Sequence, residues 1–222
     1  MAARRGGTSR PFGSTRPARE TFDRLAAAYD RRWARYTAAT TGATLARLAL
    51  RPGERLLDLG CGTGALLCEL AVRGARQRLC GVDLSPAMVA VARARLPAAV
   101  SLAVADGAAL PFPSGSFDVV VSNSSFHFWP RPLRILGEIR RVLVASGRLV
   151  ISDWCGDYLA CHLYDRVLRL LDPAHQEVLT AAACGELLGA SGLVDVCIER
   201  YRPIWPWGMM TATARAAAVA RP

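Results

Sequence analysis

Lysine is absent from this 222-residue chain, and asparagine occurs once, as Asn123. All 28 basic residues are arginine, in a background rich in Ala, Gly and Pro. That pattern reads as the codon bias of a GC-rich genome, so arginine abundance alone is weak evidence for nucleic-acid binding. No run of about 18 uncharged apolar residues occurs, which excludes a transmembrane helix. No Cys-x-x-Cys pair occurs among the seven cysteines, which excludes zinc-ribbon and thioredoxin-type sites. An odd cysteine count without a secretory signal points to free thiols in a reducing compartment. The expected location is the cytoplasm, or an organelle if the source is eukaryotic. Asp153, Cys155, Asp157, Cys161 and His162 form the one cluster worth weighing as metal ligands. Their spacing matches no ligand pattern, and no metal is expected.

Apolar residues make up 52% and charged residues 21%, which excludes wholesale disorder. A chain of this length is expected to form one domain and to bury roughly 70% of its unfolded surface. The net charge is +10, but it is uneven. Residues 1–19 hold five arginines and no acids, whereas residues 20–222 hold 23 arginines against 18 acids. The first segment is expected to be an Arg-rich disordered leader. A transit peptide and an anion-binding arm are the sharper alternatives.

Residues 20–50 carry apolar positions at helical spacing and are expected to be helical. From residue 51 onward, short apolar runs alternate with helical segments. Strands are predicted at 55–59, 78–82, 100–105, 117–122, 148–152, 194–202 and 209–215. Helices are predicted at 64–73, 86–96, 132–144, 158–171 and 183–191. Ser85 is placed as a helix cap, with Pro86 in the first turn. Alternation of this kind implies right-handed crossovers and a doubly wound, mainly parallel α/β sheet. The last two strands are too close for a crossover helix and should form an antiparallel hairpin.

The informative segment is Leu56-Leu-Asp58-Leu-Gly60-Cys-Gly62-Thr-Gly64. A buried strand ends in an acid, and three glycines lead into a helix whose first N–H groups are free. The Gly60-x-Gly62-x-x-Ala65 order also fits a dinucleotide loop. A carboxylate at the mouth of that loop repels a pyrophosphate and attracts an amino group. Two further acids, Asp83 and Asp106, end the next two strands.

From about residue 20 to 215 the chain resembles the class I S-adenosylmethionine-dependent methyltransferases, particularly the small ubiquinone/menaquinone-type group. The resemblance rests on Asp58-x-Gly-x-Gly-x-Gly64, Gly81-Val-Asp83-Leu-Ser85-Pro-x-Met88, Ala105-Asp106-Gly107 and Leu110-Pro-Phe-Pro113. It continues in Ser116-Phe-Asp118, Ser122-Asn123 and Glu138-x-x-Arg141-Val-Leu143. It implies a Rossmann-like, seven-stranded sheet with S-adenosylmethionine at the strand ends. It also implies a helical lid over 20–50, a cofactor core over 51–152, and substrate-side helices and hairpin over 153–222. Asp58 would hold the methionine amino group, with the Gly60, Cys61 and Gly62 backbone alongside. Asp83 would take the ribose hydroxyls, and Leu84 and Met88 would pad the adenine. Asp106 and the Gly107 N–H would meet the adenine edge, and Asn123 would line the methionine part of the cleft. The turn Val144-Ala-Ser-Gly147 replaces the family's Lys/Arg-Pro-Gly-Gly. The loop Ser122-Asn-Ser-Ser-Phe126 is not the Asn-Pro-Pro-aromatic motif of nucleobase or glutamine methylation.

The implied reaction is methyl transfer to a small, apolar or aromatic acceptor, with Tyr29, Trp33 and Trp129 expected on the substrate side. His127 is the candidate general base, with a packed structural role as the alternative, and His175 is a weaker candidate. A nicotinamide-dependent reductase and a nucleic-acid-associated protein using the basic arm are the competing readings. Nucleic acid is not the expected partner. The acceptor's identity and the oligomeric state stay open.

Overall fold

In the computed structural model, which describes residues 14–73 and 78–218, β1 (Arg55–Leu59) is buried at every position after its first. A strand buried on both faces belongs in the middle of a parallel sheet. β1 pairs in parallel with β2 (Arg78–Asp83) on one side and β4 (Phe117–Asn123) on the other. The remaining strands are β3 (Ser101–Val104), β5 (Leu143–Trp154), β6 (Leu193–Ile204) and β7 (Trp207–Ala216). The sheet has seven strands in the order β3-β2-β1-β4-β5-β7-β6. β7 is antiparallel to both of its neighbours. The expected doubly wound sheet with a terminal antiparallel hairpin is the one found.

Alternate residues of each strand face opposite layers. Leu56, Val119 and Val121 meet α2 (Ala65–Val72), α3 (Pro86–Arg95) and the end of α1 (Arg16–Leu48). Leu57, Leu59 and Val120 meet α4 (Pro132–Val142) and α6 (Ala181–Ala190). α5 (Leu159–Leu171) packs through Cys161 and Leu168 against Trp154 and Met209. The order reverses at β1, whose two neighbours are reached in opposite directions, and ligands of open α/β sheets sit at such a switch point.

Two boundaries differ from the sequence reading by more than two residues. The first helix begins at Arg16, not at residue 20. Proline stands in its first turn, Arg16 pairs with Glu20, and Ala18 is buried against the body. Residues 1–13 of the expected leader lie outside the described residues. The strand predicted at 148–152 starts at Leu143, where Leu143 pairs with Phe117 before an irregularity in register. With no proline in the Val144–Gly147 turn, the chain stays extended there, and Ser146 takes a positive φ of 60°.

Candidate functional site

One wall of the main cleft is made by strand ends. Asp58 is the penultimate residue of β1, and the loop after Leu59 folds back onto β2. Gly60 N–H and Cys61 N–H donate to the Val82 carbonyl at 2.8 and 3.0 Å. Gly60 has φ +77°, and a Cβ there would lie 2.5 Å from Ser125 Oγ. Gly64, at φ +82°, would place a Cβ 2.9 Å from Leu96 of the next crossover. Glycine is therefore required at both by backbone conformation and by space. Asp83 accepts from Gly62 N–H at 2.8 Å through Oδ2 and from Ser85 N–H at 2.9 Å through Oδ1. Asp106 accepts from Ala108 N–H at 2.8 Å, and its other oxygen lies 3.8 Å from Arg131. Leu84, Met88, Gly107 and Asn123 complete this wall. Asn123 Oδ1 accepts from the Thr44 hydroxyl at 2.9 Å.

The opposite wall comes from α1 and the loop after β4. Phe22, Tyr29 and Tyr36 line the cleft, and their seven-residue spacing puts them on one face of the helix. Phe128 and Trp129 face them, with Phe22 edge-on to Phe128 at 5.0 Å. Two acids of α1 latch the helix to the strand-end wall. Asp23 accepts from Ser85 Oγ at 2.5 Å and from Ala87 N–H at 3.3 Å. Asp30 accepts from Thr63 Oγ1 at 2.6 Å and pairs with Arg95.

The cations at the cleft, Arg19 and Arg131, lie beside Asp23 and Asp106, and among the described residues none pairs with Asp58. Asp58 is 2% exposed, and its carboxylate has no hydrogen-bond donor among the described residues. Burial, reinforced by the Asp83 charge, pushes its pKa up to about 8. Asp83 is also raised by burial, against the backbone N–H groups that favour its ionised form. Burial and then the Asp83 charge push the Tyr29 phenol up to about 12. An ammonium group placed at Asp58 would supply the partner that this buried carboxyl does not have.

The cofactor-side residues named from sequence, from Asp58 through Asn123, all line this one cleft, as do Tyr29 and Trp129. Trp33 does not line it; its ring packs edge-on against Tyr36 at 6.2 Å, at the point where α1 departs from helical geometry. His127 does not reach the cleft wall either. Its Nδ1 lies 2.6 Å from Asp153 Oδ1, and its ring stacks on Trp154 at 4.6 Å. Its main-chain carbonyl accepts from Gln176 and Glu177. His175 is paired with buried Asp165 at 2.8 Å. Sequence reasoning did not single out Phe22, Asp23, Asp30, Tyr36 or Ser124. For four of them a signal was present, since 22, 29 and 36, and 23 and 30, recur at seven-residue intervals.

A switch-point cleft with acids at three successive strand ends and a glycine loop between the first two defines a nucleoside-cofactor class of α/β protein. Residues 57–151 match the model of a methyltransferase-domain family, and over that stretch the chain is similar to S-adenosylmethionine-dependent methyltransferases. It is 39% identical over 104 residues to a demethylmenaquinone methyltransferase of Thermus thermophilus, covering 46% of this chain and 47% of that one. It is 37% identical over 136 residues to the nocamycin O-methyltransferase of Saccharothrix syringae, covering 59% and 49%. The chain spans about half the length of these relatives. In fold it resembles a methyltransferase solved in complex with the Haloferax volcanii Trm112 activator, with TM-score 0.78, 23% identity, and 88% and 97% of the chains covered. It also resembles an S-adenosylmethionine-dependent methyltransferase of Mesorhizobium loti, with TM-score 0.66, 24% identity, and 80% and 97% covered. No helix among the described residues is long and apolar enough to cross a membrane.

Proposed function

We propose that this protein is a cytoplasmic S-adenosylmethionine-dependent methyltransferase acting on a small, apolar or aromatic acceptor. The observation that carries the reading is Asp58, a buried carboxyl without a donor that lines the same cleft as Asp83 and Asp106. The residues present fit the cofactor. Asp58 would hold its amino group. Asp83 keeps lone pairs free for ribose hydroxyls beyond the two backbone bonds it accepts. Leu84, Met88, Asp106 and Gly107 would border its adenine. When bound, the cofactor supplies an electrophilic methyl group on a positively charged sulfur.

The chain's own residues then hold and align the acceptor and exclude water. α1, latched through Asp23 and Asp30, covers the strand ends. Phe22, Tyr29, Phe128 and Trp129 give the acceptor side an aromatic lining, which supports a flat or apolar acceptor. Relatives named for demethylmenaquinone, nocamycin and 27-O-demethylrifamycin SV support the same class. No histidine lines the cleft among the described residues. That favours an acceptor that arrives ionised, or one nucleophilic at carbon, over one needing a positioned histidine base.

Calorimetry with S-adenosylhomocysteine and with NAD(H) tests the cofactor. Micromolar binding of the first and none of the second is expected, and the reverse overturns the reading. Transfer of labelled methyl to a panel of quinols, phenols and fatty acyl compounds tests the acceptor class. Transfer confined to the acyl compounds would overturn the aromatic assignment.

A further inference from the structure

A chain of hydrogen bonds runs from behind the aromatic wall to the cleft surface. Trp154 Nε1–H donates to Tyr36 Oη at 2.7 Å. Tyr36 Oη lies 2.8 Å from Ser124 Oγ. Tyr36 and Ser124 both line the cleft. None of the three groups has another side-chain hydrogen-bond partner among the described residues.

The direction of the first bond follows from its chemistry. An indole N–H can only donate, so Tyr36 Oη accepts from Trp154. Three protons, one each on Trp154, Tyr36 and Ser124, serve two internal bonds. One hydroxyl proton is therefore left over, whichever way the Tyr36–Ser124 bond points. With Tyr36 donating onward, the spare proton is on Ser124. Burial raises the Tyr36 phenol well above its ordinary range, so Tyr36 stays a neutral donor within the chain.

The backbone supports Ser124 as the end of the chain. Ser124 has φ +56°, a region that non-glycine residues seldom adopt. Its N–H is tied to the Ser152 carbonyl at 2.8 Å. This unusual turn, directly after β4, is what carries the hydroxyl to the cleft. A second hydroxyl on the same wall, Thr41 Oγ1, is buried with no hydrogen-bond partner among the described residues.

We propose that Ser124 is the specificity-determining donor of the cleft, presenting one oriented hydroxyl proton to a carbonyl, enolate or phenolate oxygen of the acceptor. Tyr36 and Trp154 are positioning residues that act through it. The proposal rests on the methyltransferase reading for the identity of the cleft. It adds that the acceptor is an oxygen-bearing ring or enol rather than a plain hydrocarbon or acyl chain. The oxygen fixes the orientation of the ring, and the aromatic wall supplies the rest of the binding surface.

The test compares 1,4-naphthoquinone with naphthalene as binding probes, by tryptophan fluorescence and calorimetry, with and without saturating S-adenosylhomocysteine. The parent should prefer the quinone about 3–10-fold, the effect of one neutral hydrogen bond. Ser124→Gly, which the positive φ accommodates, should abolish that preference and leave naphthalene and S-adenosylhomocysteine binding as in the parent. Tyr36→Phe and Trp154→Phe should each reduce the preference by less than Ser124→Gly does. The Ser124→Gly/Tyr36→Phe double variant should lose no more than Ser124→Gly alone. A parent without preference, or a Ser124→Gly variant that keeps it, overturns the proposal. Additive losses in the double variant also overturn it, because Tyr36 would then be the terminal donor. Failure of S-adenosylhomocysteine to bind the parent sinks the methyltransferase reading instead, while the quinone ratio in the free protein still decides the role of Ser124.

Discussion

The two walls of the cleft are built in opposite ways. The strand-end wall is contiguous in sequence: Asp58 to Gly64 is one loop, Asp83 to Met88 is one strand end with its helix cap, and Asp106-Gly107 is one turn. Most of its polar contacts are to backbone, as in Gly62 and Ser85 N–H on Asp83. The α1 wall is assembled from side chains far apart in sequence: Tyr36 meets Ser124 across 88 positions, and Phe22 of α1 meets Phe128 of the loop after β4 edge-on. A wall made from backbone turns needs particular residue types at particular spacings. A wall made from side chains tolerates many solutions. Cofactor recognition is accordingly written as motifs, and acceptor recognition is not.

The largest expected effect separates the two walls directly. Asp83→Ala should weaken S-adenosylhomocysteine binding by about 2–4 kcal/mol, roughly 30–1000-fold, through loss of charge-assisted hydrogen bonds. Tyr36→Phe, on the other wall, should leave that affinity within about twofold. Calorimetry on both variants checks the contrast, and equal losses would erase the division.

His127 sharpens the comparison, because it belongs to neither wall. Its imidazole is 5% exposed and held between Asp153 and Trp154. His127→Ala removes a buried hydrogen-bond partner and leaves a cavity, so unfolding should become easier by about 2–3 kcal/mol. S-adenosylhomocysteine affinity and the turnover of the remaining folded protein should stay within a few-fold. A loss of turnover by 100-fold at parent-like stability would instead restore the general-base role.

What could be read from the sequence follows the same division. The strand at 55–59, the cap at Ser85 and the terminal hairpin each rest on local pattern, and each falls where that pattern puts it. The start of α1 and the long β5 do not, because Ala18 and Leu143 take their conformation from what they pack against. His127 in Ser125-Phe-His-Phe-Trp129 fits either a base or a core residue, since flanking aromatics are common to both. Only the partner, Asp153, which lies 26 positions away, separates them. Tyr36 and Ser124 carry no motif, and their relation exists only in three dimensions.

A smaller effect is expected where the strand-end loop touches the second wall. Gly60→Ala would force an L-residue to φ +77° and a Cβ against Ser125 Oγ. A cost of about 1–2 kcal/mol is expected, seen as a lower melting temperature that saturating S-adenosylhomocysteine does not fully restore. A parent-like melting temperature would mean that the loop has room to relax.

The smallest signal is a single proton, and it tests the residue on which the functional reading rests. In the free protein, burial and the Asp83 charge hold Asp58 at about 8, so it carries its proton at pH 7. An ammonium group bound against it favours the charged form, and the proton should leave as the ligand enters. The heat of S-adenosylhomocysteine binding at pH 7 should therefore vary with the ionisation enthalpy of the buffer, with release of up to about one proton per complex. Asp58→Asn should remove that dependence. Stability without ligand gives the matching sign. In the unfolded chain the carboxyl ionises near 3.9, well below its folded value. Its contribution is therefore complete below about pH 4 and declines as pH rises toward 8, by at most about 1.4 kcal/mol per pH unit. The Asn variant should flatten that part of the melting-temperature profile. Equal proton release in parent and Asn variant would place the titrating group elsewhere and leave the amino-group assignment of Asp58 without support.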